Sequence, residues 1–116
     1  MRIQEAAEKS GLSCHTLRYY EKQGLIYPIP RDTSGHRLYR ERDIRWLYFV
    51  QCLKSTKMPL KDIRAYAMRL NGSDHQAEYL LHILTQHKTR LKQQKANIDE
   101  CLEHVDWKIN HYTELL

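Results

Sequence analysis

Cysteine is scarce: only Cys14, Cys52 and Cys101 occur, too few and too scattered for a disulfide framework. Thiols used so sparingly are expected to stay reduced, so the expected location is the cytoplasm. No apolar run approaches the roughly 20 residues needed to cross a bilayer. The opening Met1-Arg2-Ile3-Gln4-Glu5 lacks the charged-then-apolar order of a secretory leader. A membrane is therefore not an expected partner. No Ser/His/Asp arrangement, phosphate loop or paired-carboxylate pocket is visible, so no enzyme and no cofactor are expected. Proline and glycine are also few, and neither occurs after Gly72.

What the chain does have is positive charge, unevenly spread. Its 116 residues carry a net +5. Residues 1–70 hold fourteen Lys/Arg against seven Asp/Glu, a balance of +7, while residues 71–116 hold five against seven, a balance of −2. All of the excess lies in the first part, where a phosphate backbone would be engaged.

The pattern predicts two domains, 1–72 and 73–116. Ile3 to Ser10 is expected to be a short helix ended by Gly11. Ser13 then fits an N-cap, and Cys14 to Gln23 a second helix closed by Gly24. Two short helices joined by a tight turn make a helix-turn-helix candidate. Between Leu25 and Tyr39, β-formers flank Pro28, Pro30 and the turn-forming Arg31-Asp32-Thr33-Ser34-Gly35, which predicts a two-stranded hairpin shaped as a wing. Glu41 to Ser55 carries two apolar stripes and is expected to be a helix buried on more than one side. Pro59 fits the first position of a fourth helix, Leu60 to Leu70, and Asn71-Gly72 breaks it.

Ser73 and Gln76 have the spacing of a capping box for a final long helix. Along it Leu84, Leu91, Ile98, Val105 and Tyr112 recur every seven residues, with Leu81, Leu102, Ile109 and Leu116 at the companion position. Lys88 and Lys95 fill that companion position in the middle. This is a coiled-coil seam, roughly 60 Å long at 1.5 Å per residue. A single helix cannot bury such a stripe, so a partner helix is expected.

The run Leu17-Arg18-Tyr19-Tyr20-Glu21-Lys22-Gln23-Gly24-Leu25-Ile26, followed by Gly35-His36-Arg37-Leu38-Tyr39 and Asp43-Ile44, resembles the signature of the MerR family of transcription regulators. The resemblance extends over the whole chain. It implies a mainly α fold, a winged helix-turn-helix domain followed by a long helix that forms an antiparallel coiled-coil dimer. It also implies a homodimer on double-stranded promoter DNA, which distorts an overlong spacer so that RNA polymerase can read both promoter elements. An architectural or recombination-associated DNA-binding protein is the alternative.

In the second helix Thr16, Arg18, Tyr19 and Lys22 are expected to face outward as DNA contacts, since Arg and Lys supply charge to phosphates and hydroxyls bond phosphate or base edges. Leu17 and Tyr20 are expected to pack inward. The family implies that Arg37 and Tyr39 on the wing touch the DNA backbone, and Lys57 is a further candidate phosphate contact. His36 replaces the family's usual aromatic. Arg40 stands where Ser often caps the third helix.

For an effector, no separate ligand domain is expected after the long helix. Cys101 and His104 offer only two metal ligands on one face, with His111 a third further along, so no metal site is expected, although a metal-responsive regulator stays an alternative. Cys52 is placed as in the aldehyde- and thiol-stress-responsive (AdhR/NmlR-like) members, with Lys54 and Arg45 near enough in sequence to favour a thiolate. The same residue could serve simply as a small apolar side chain. Cys14 is the second candidate, at a helix N-terminus that lowers thiol pKa values.

One expectation tests the seam directly. Replacing Leu91 and Ile98 together by Asp should convert a dimer to monomers and abolish operator binding. Sedimentation velocity reads the first effect, and a wild-type monomer at micromolar concentration would contradict the seam.

Overall fold

The structure is a computed structural model that describes residues 1–70 and 76–116. Five helices follow one another: α1 (Ile3–Ser10), α2 (Cys14–Lys22), α3 (Glu41–Ser55), α4 (Leu60–Arg69) and α5 (Ala77–Glu114). They fall into two compact units, Met1–Leu81 and His82–Leu116. The predicted capping box at Ser73 and the break at Asn71-Gly72 lie outside the described residues. Among those residues no helix is long and apolar enough to cross a membrane.

In the first unit the local signals act as the sequence predicts. Gly11 ends α1 at φ 76°, a left-handed geometry that suits glycine, and its N–H reaches the Ala7 carbonyl at 3.0 Å. The Ser13 hydroxyl accepts the Thr16 N–H at 3.0 Å and caps α2. Helical spacing then buries Leu17 and Tyr20, which meet Leu25, Ile26, Leu47, Val50, Leu53 and Ile63 in the core. Each such aliphatic side chain contributes roughly 1.5–3 kcal/mol by leaving water. Helix α3 is central, with Ile44, Trp46, Leu47, Val50 and Leu53 all buried. The Trp46 indole stacks on Tyr66 of α4 with ring centroids 5.2 Å apart and donates its N–H to the Leu25 carbonyl at 2.9 Å.

The wing is a short hairpin reduced to its minimum: one antiparallel bridge, Arg31 to Arg37, is its sheet content among the described residues, flanked by Asp32 N–H to the His36 carbonyl at 2.9 Å and Leu38 N–H to the Pro30 carbonyl at 2.7 Å. Pro28 and Pro30 lack the N–H groups a longer ladder needs. The turn is held further by the Asp32 carboxylate, which accepts the N–H groups of Ser34 and His36 at 2.9 Å each. These bonds, that of His36 foremost, hold the Asp32 carboxyl below its ordinary pKa. Pro59 is not the first helical residue but the N-cap of α4; its carbonyl receives the Asp62 and Ile63 N–H groups.

Helix α3 also does not go uncapped for want of a serine. The Asp43 carboxylate reaches back to the Arg40 N–H at 2.8 Å, the reciprocal half of a capping box. Asp43 is fully buried. It further accepts the Tyr27 hydroxyl at 2.5 Å and the Arg40 guanidinium at 3.1 and 3.2 Å. Burial by itself would raise the Asp43 pKa, yet the bonds from Arg40 and Tyr27 outweigh it and leave the carboxyl below its usual 3.8. Burial, with the bond to Asp43, pushes the Tyr27 phenol well above its ordinary range.

In the second unit α5 carries the heptad stripe into solvent. Ile98, Leu102, Val105, Ile109 and Tyr112 are all exposed by half or more. Ile83 and His87, near its start, are buried.

A pH dependence follows from Asp43. A carboxyl whose folded pKa lies below its unfolded value stabilises the fold above the unfolded value, and that stability is lost as pH falls through the folded one. Urea unfolding should therefore show stability declining as pH drops below about 4. Asp43→Asn should lower stability at neutral pH by about 1–3 kcal/mol and flatten that acid arm.

Candidate nucleic-acid interface

Helix α2 presents Arg18, Tyr19 and Lys22 to solvent, with Tyr19 49% exposed. Thr16, half-buried in the first turn, accepts the Ser13 hydroxyl at 2.9 Å and keeps its own proton to donate. Beside this helix lies a cleft of about 280 Å³ lined by Arg2, Gln4, Arg18, Arg31, His36 and Arg37. Four arginines line one opening, next to a first turn of α1 that has no side-chain cap, and make a basic surface, with Arg2 3.8 Å from the Asp32 carboxylate and Arg31 donating to the Gly35 carbonyl at 2.7 Å. Sequence reasoning missed Arg2 and Gln4 as parts of this surface. Nothing local marks them; the wing, some thirty residues on, folds back to them. The backbones of Met1 and Tyr39 exchange two hydrogen bonds, each 2.7 Å.

Glu21 sets the geometry. One of its carboxylate oxygens accepts the Arg37 Nε–H at 2.6 Å and the other the Ile29 N–H at 3.1 Å. Both ion-pair side chains are largely shielded, at 21% and 17% exposure. Arg37 thus lines the cleft while tethering the wing to α2, and any phosphate must meet its remaining N–H groups.

Tyr39 does not stand with the exposed set. Its ring is 2% exposed and belongs to the core, and its hydroxyl is buried without a hydrogen-bond partner. The expectation of a backbone contact from Tyr39 is therefore corrected: returning to pair with Met1, the chain turns this side chain inward.

Lys57 lies apart, in the turn between α3 and α4. It is exposed and adopts φ 67°, the one left-handed non-glycine residue among those described. The turn closes by Lys57 N–H to the Lys54 carbonyl at 3.1 Å and Met58 N–H to the Leu53 carbonyl at 3.0 Å. A glycine would serve this geometry without strain.

Cys52 is exposed near the end of α3, Cys101 is exposed on α5, and Cys14 is half-buried. The expected help from Lys54 is not there. Its ammonium donates to the Tyr20 hydroxyl at 3.2 Å and lies 4.8 Å from that ring's centre. On α5 the His111 ring stacks against Trp107 at 5.6 Å. No three His, Cys, Asp or Glu side chains converge among the described residues.

Two short helices, the second exposing Arg, Tyr and Lys beside a tethered wing and a basic cleft, define a winged helix-turn-helix protein. Comparison with known proteins specifies it further. Residues 1–70 match the family described as MerR HTH family regulatory protein. The chain is 37% identical over 108 residues to an HTH-type transcriptional regulator of Haemophilus influenzae, an alignment spanning 93% of this chain and 80% of that one. It is 36% identical over 91 residues to the HTH-type transcriptional regulator AdhR of Bacillus subtilis, spanning 78% and 65% respectively. The crystal structure of HiNmlR, a MerR family regulator lacking the sensor domain and bound to promoter DNA, superposes with a TM-score of 0.89 at 35% identity, covering 97% of this chain and 90% of that one. The chain belongs to the MerR family. It is a transcriptional regulator and not an enzyme, as its relatives are.

Lys57 gives a test that separates stability from binding. Lys57→Gly should raise thermal stability by about 1 kcal/mol through relief of the left-handed strain. It should also weaken DNA binding and reduce the salt dependence by about one phosphate contact. Unchanged salt dependence in fluorescence anisotropy would leave Lys57 a turn residue only.

Proposed function

We propose that the chain binds promoter DNA in the cytoplasm as a homodimer and activates transcription by distorting the promoter spacer in response to a reactive aldehyde. The observation that carries the DNA half is the continuous basic surface from the exposed face of α2 across the arginine-lined cleft to the wing. Arg18, Tyr19 and Lys22, with the Thr16 hydroxyl, enter the major groove, while Arg37 and Lys57 touch phosphates on either side. The likeness to DNA-bound HiNmlR supports this. The exposed apolar stripe of α5 supports pairing with a second copy, with Lys88 and Lys95 near the partner copy's acidic residues. Distortion of the spacer, which lets RNA polymerase engage both promoter elements, is driven by protein contacts that offset the energy of deforming DNA.

The sensing half rests on Cys52, exposed on α3, and on similarity to AdhR and HiNmlR. Its thiolate sulfur adds to the aldehyde carbon, the carbonyl electron pair moves to oxygen, and that oxygen takes a proton, giving a hemithioacetal. An exposed adduct meets no packed wall within its own chain. In the proposed dimer the partner copy's long helix supplies that wall, and overpacking there costs about 1–3 kcal/mol. A change of that size moves a two-state equilibrium roughly 5- to 150-fold.

A promoter reporter in cells challenged with formaldehyde or methylglyoxal tests both halves. Cys52→Ser should keep operator binding and lose induction, while Cys14→Ser and Cys101→Ser keep both. Arg18→Ala should weaken operator binding by about 1–3 kcal/mol while the dimer stays folded. Full induction with Cys52→Ser removes the cysteine from the mechanism and leaves the DNA-binding half standing.

A further inference from the structure

Arg42, Arg45, Trp46 and Phe49 follow one another at the spacing of a single face of α3. They form one side of a cleft of about 300 Å³ completed by Tyr27 and Leu70, away from the basic cleft beside α2. Its apolar wall is stiff. Trp46 is anchored through its indole N–H and lies nearly parallel to Tyr66, at 5° between planes, while Phe49 meets the Tyr66 ring edge-on at 6.1 Å. Such a wall does not collapse into the space beside it.

The rim is cationic. Arg42 and Arg45 are exposed, one turn apart, and neither pairs with a carboxylate among the described residues. The Arg42 guanidinium is 5.7 Å from the centre of the Tyr27 ring. Like charges at this spacing repel, and a guanidinium fork matches a carboxylate with two donors at once. The volume lies at the small end of ligand pockets, room for one ring. We propose that this cleft is a non-covalent binding site for a small aromatic carboxylate. The ring lies against Trp46 and Phe49, and the carboxylate sits between Arg42 and Arg45. Cys52 is not part of the site, so the proposal is independent of aldehyde sensing.

Salicylate is the probe, titrated into the ¹⁵N-labelled full chain. The protein has two tryptophans, so each indole N–H gives its own signal. The Trp46 signal should shift and saturate while that of Trp107 stays put. Neutral salicylamide should bind at least about tenfold more weakly, and Arg42→Gln with Arg45→Gln should weaken salicylate at least about tenfold. Arg45→Gln alone, a change at an exposed position, should show a smaller loss in the same direction. Cys52→Ser should bind salicylate as the parent chain does. Equal binding of salicylamide, an equal response to inorganic phosphate, or undiminished binding by the arginine variants would overturn the proposal. So would a shift confined to Trp107, or no saturation below about 10 mM, the result expected if a side chain of a second copy already fills the cleft.

Discussion

The contact between Glu21 and Arg37 fixes the relation between the two parts of the basic surface, α2 and the wing. A helix-turn-helix positions its second helix by burying one side of it, here Leu17 and Tyr20. The wing has no such core of its own and, with a single bridge, little sheet to stiffen it. Glu21 supplies the missing constraint by engaging Arg37 with one oxygen and the Ile29 backbone with the other. Both partners are largely shielded from water, so removing either one would leave the other charge uncompensated. The same carboxylate keeps Arg37 extended along the cleft, so one contact serves both folding and the placement of positive charge.

Helix α3 carries the groups behind both proposals along one rod. Its N-terminus is fastened by the buried Asp43 to Arg40 and Tyr27, its middle by Trp46 to Tyr66 and Leu25, and its exposed C-terminal turn carries Cys52. The proposed switch relies on this: packed interiors shift between discrete arrangements more readily than they deform, so a change at one fastened position would be carried to the others. Arg42 and Arg45 add two cations beside the aromatic anchor. Chemistry at the surface of α3 and the packing beneath it therefore share one element.

The long helix leaves its physical problem unsolved within one chain. From Ile98 to Tyr112, α5 exposes an apolar stripe by half or more. Water disfavours such a stripe by roughly 25 cal/mol for each Å² left exposed. A second helix with the same stripe would cover it, as in the dimer proposed above.

The sequence by itself determined the helices, their caps at Gly11 and Ser13, the inward and outward faces of α2, and the heptad stripe. Each of these depends on spacing or on residues no more than a few positions apart. The family signature was equally legible, because its residues lie in order along the chain. Tertiary structure decided the rest. Tyr39 reads as a wing residue available to DNA until its backbone pairs with Met1 and its ring enters the core. Lys54 reads as a neighbour of Cys52 until it turns to Tyr20. Arg2 joins Arg18, Arg31 and Arg37 only when the wing returns to the N-terminus. Asp43 gains the Tyr27 hydroxyl as a partner only when the segment before the wing packs against α3. In each case the partner was chosen by where another segment lies in space, and a periodicity along one segment carries no information about the direction from which another approaches.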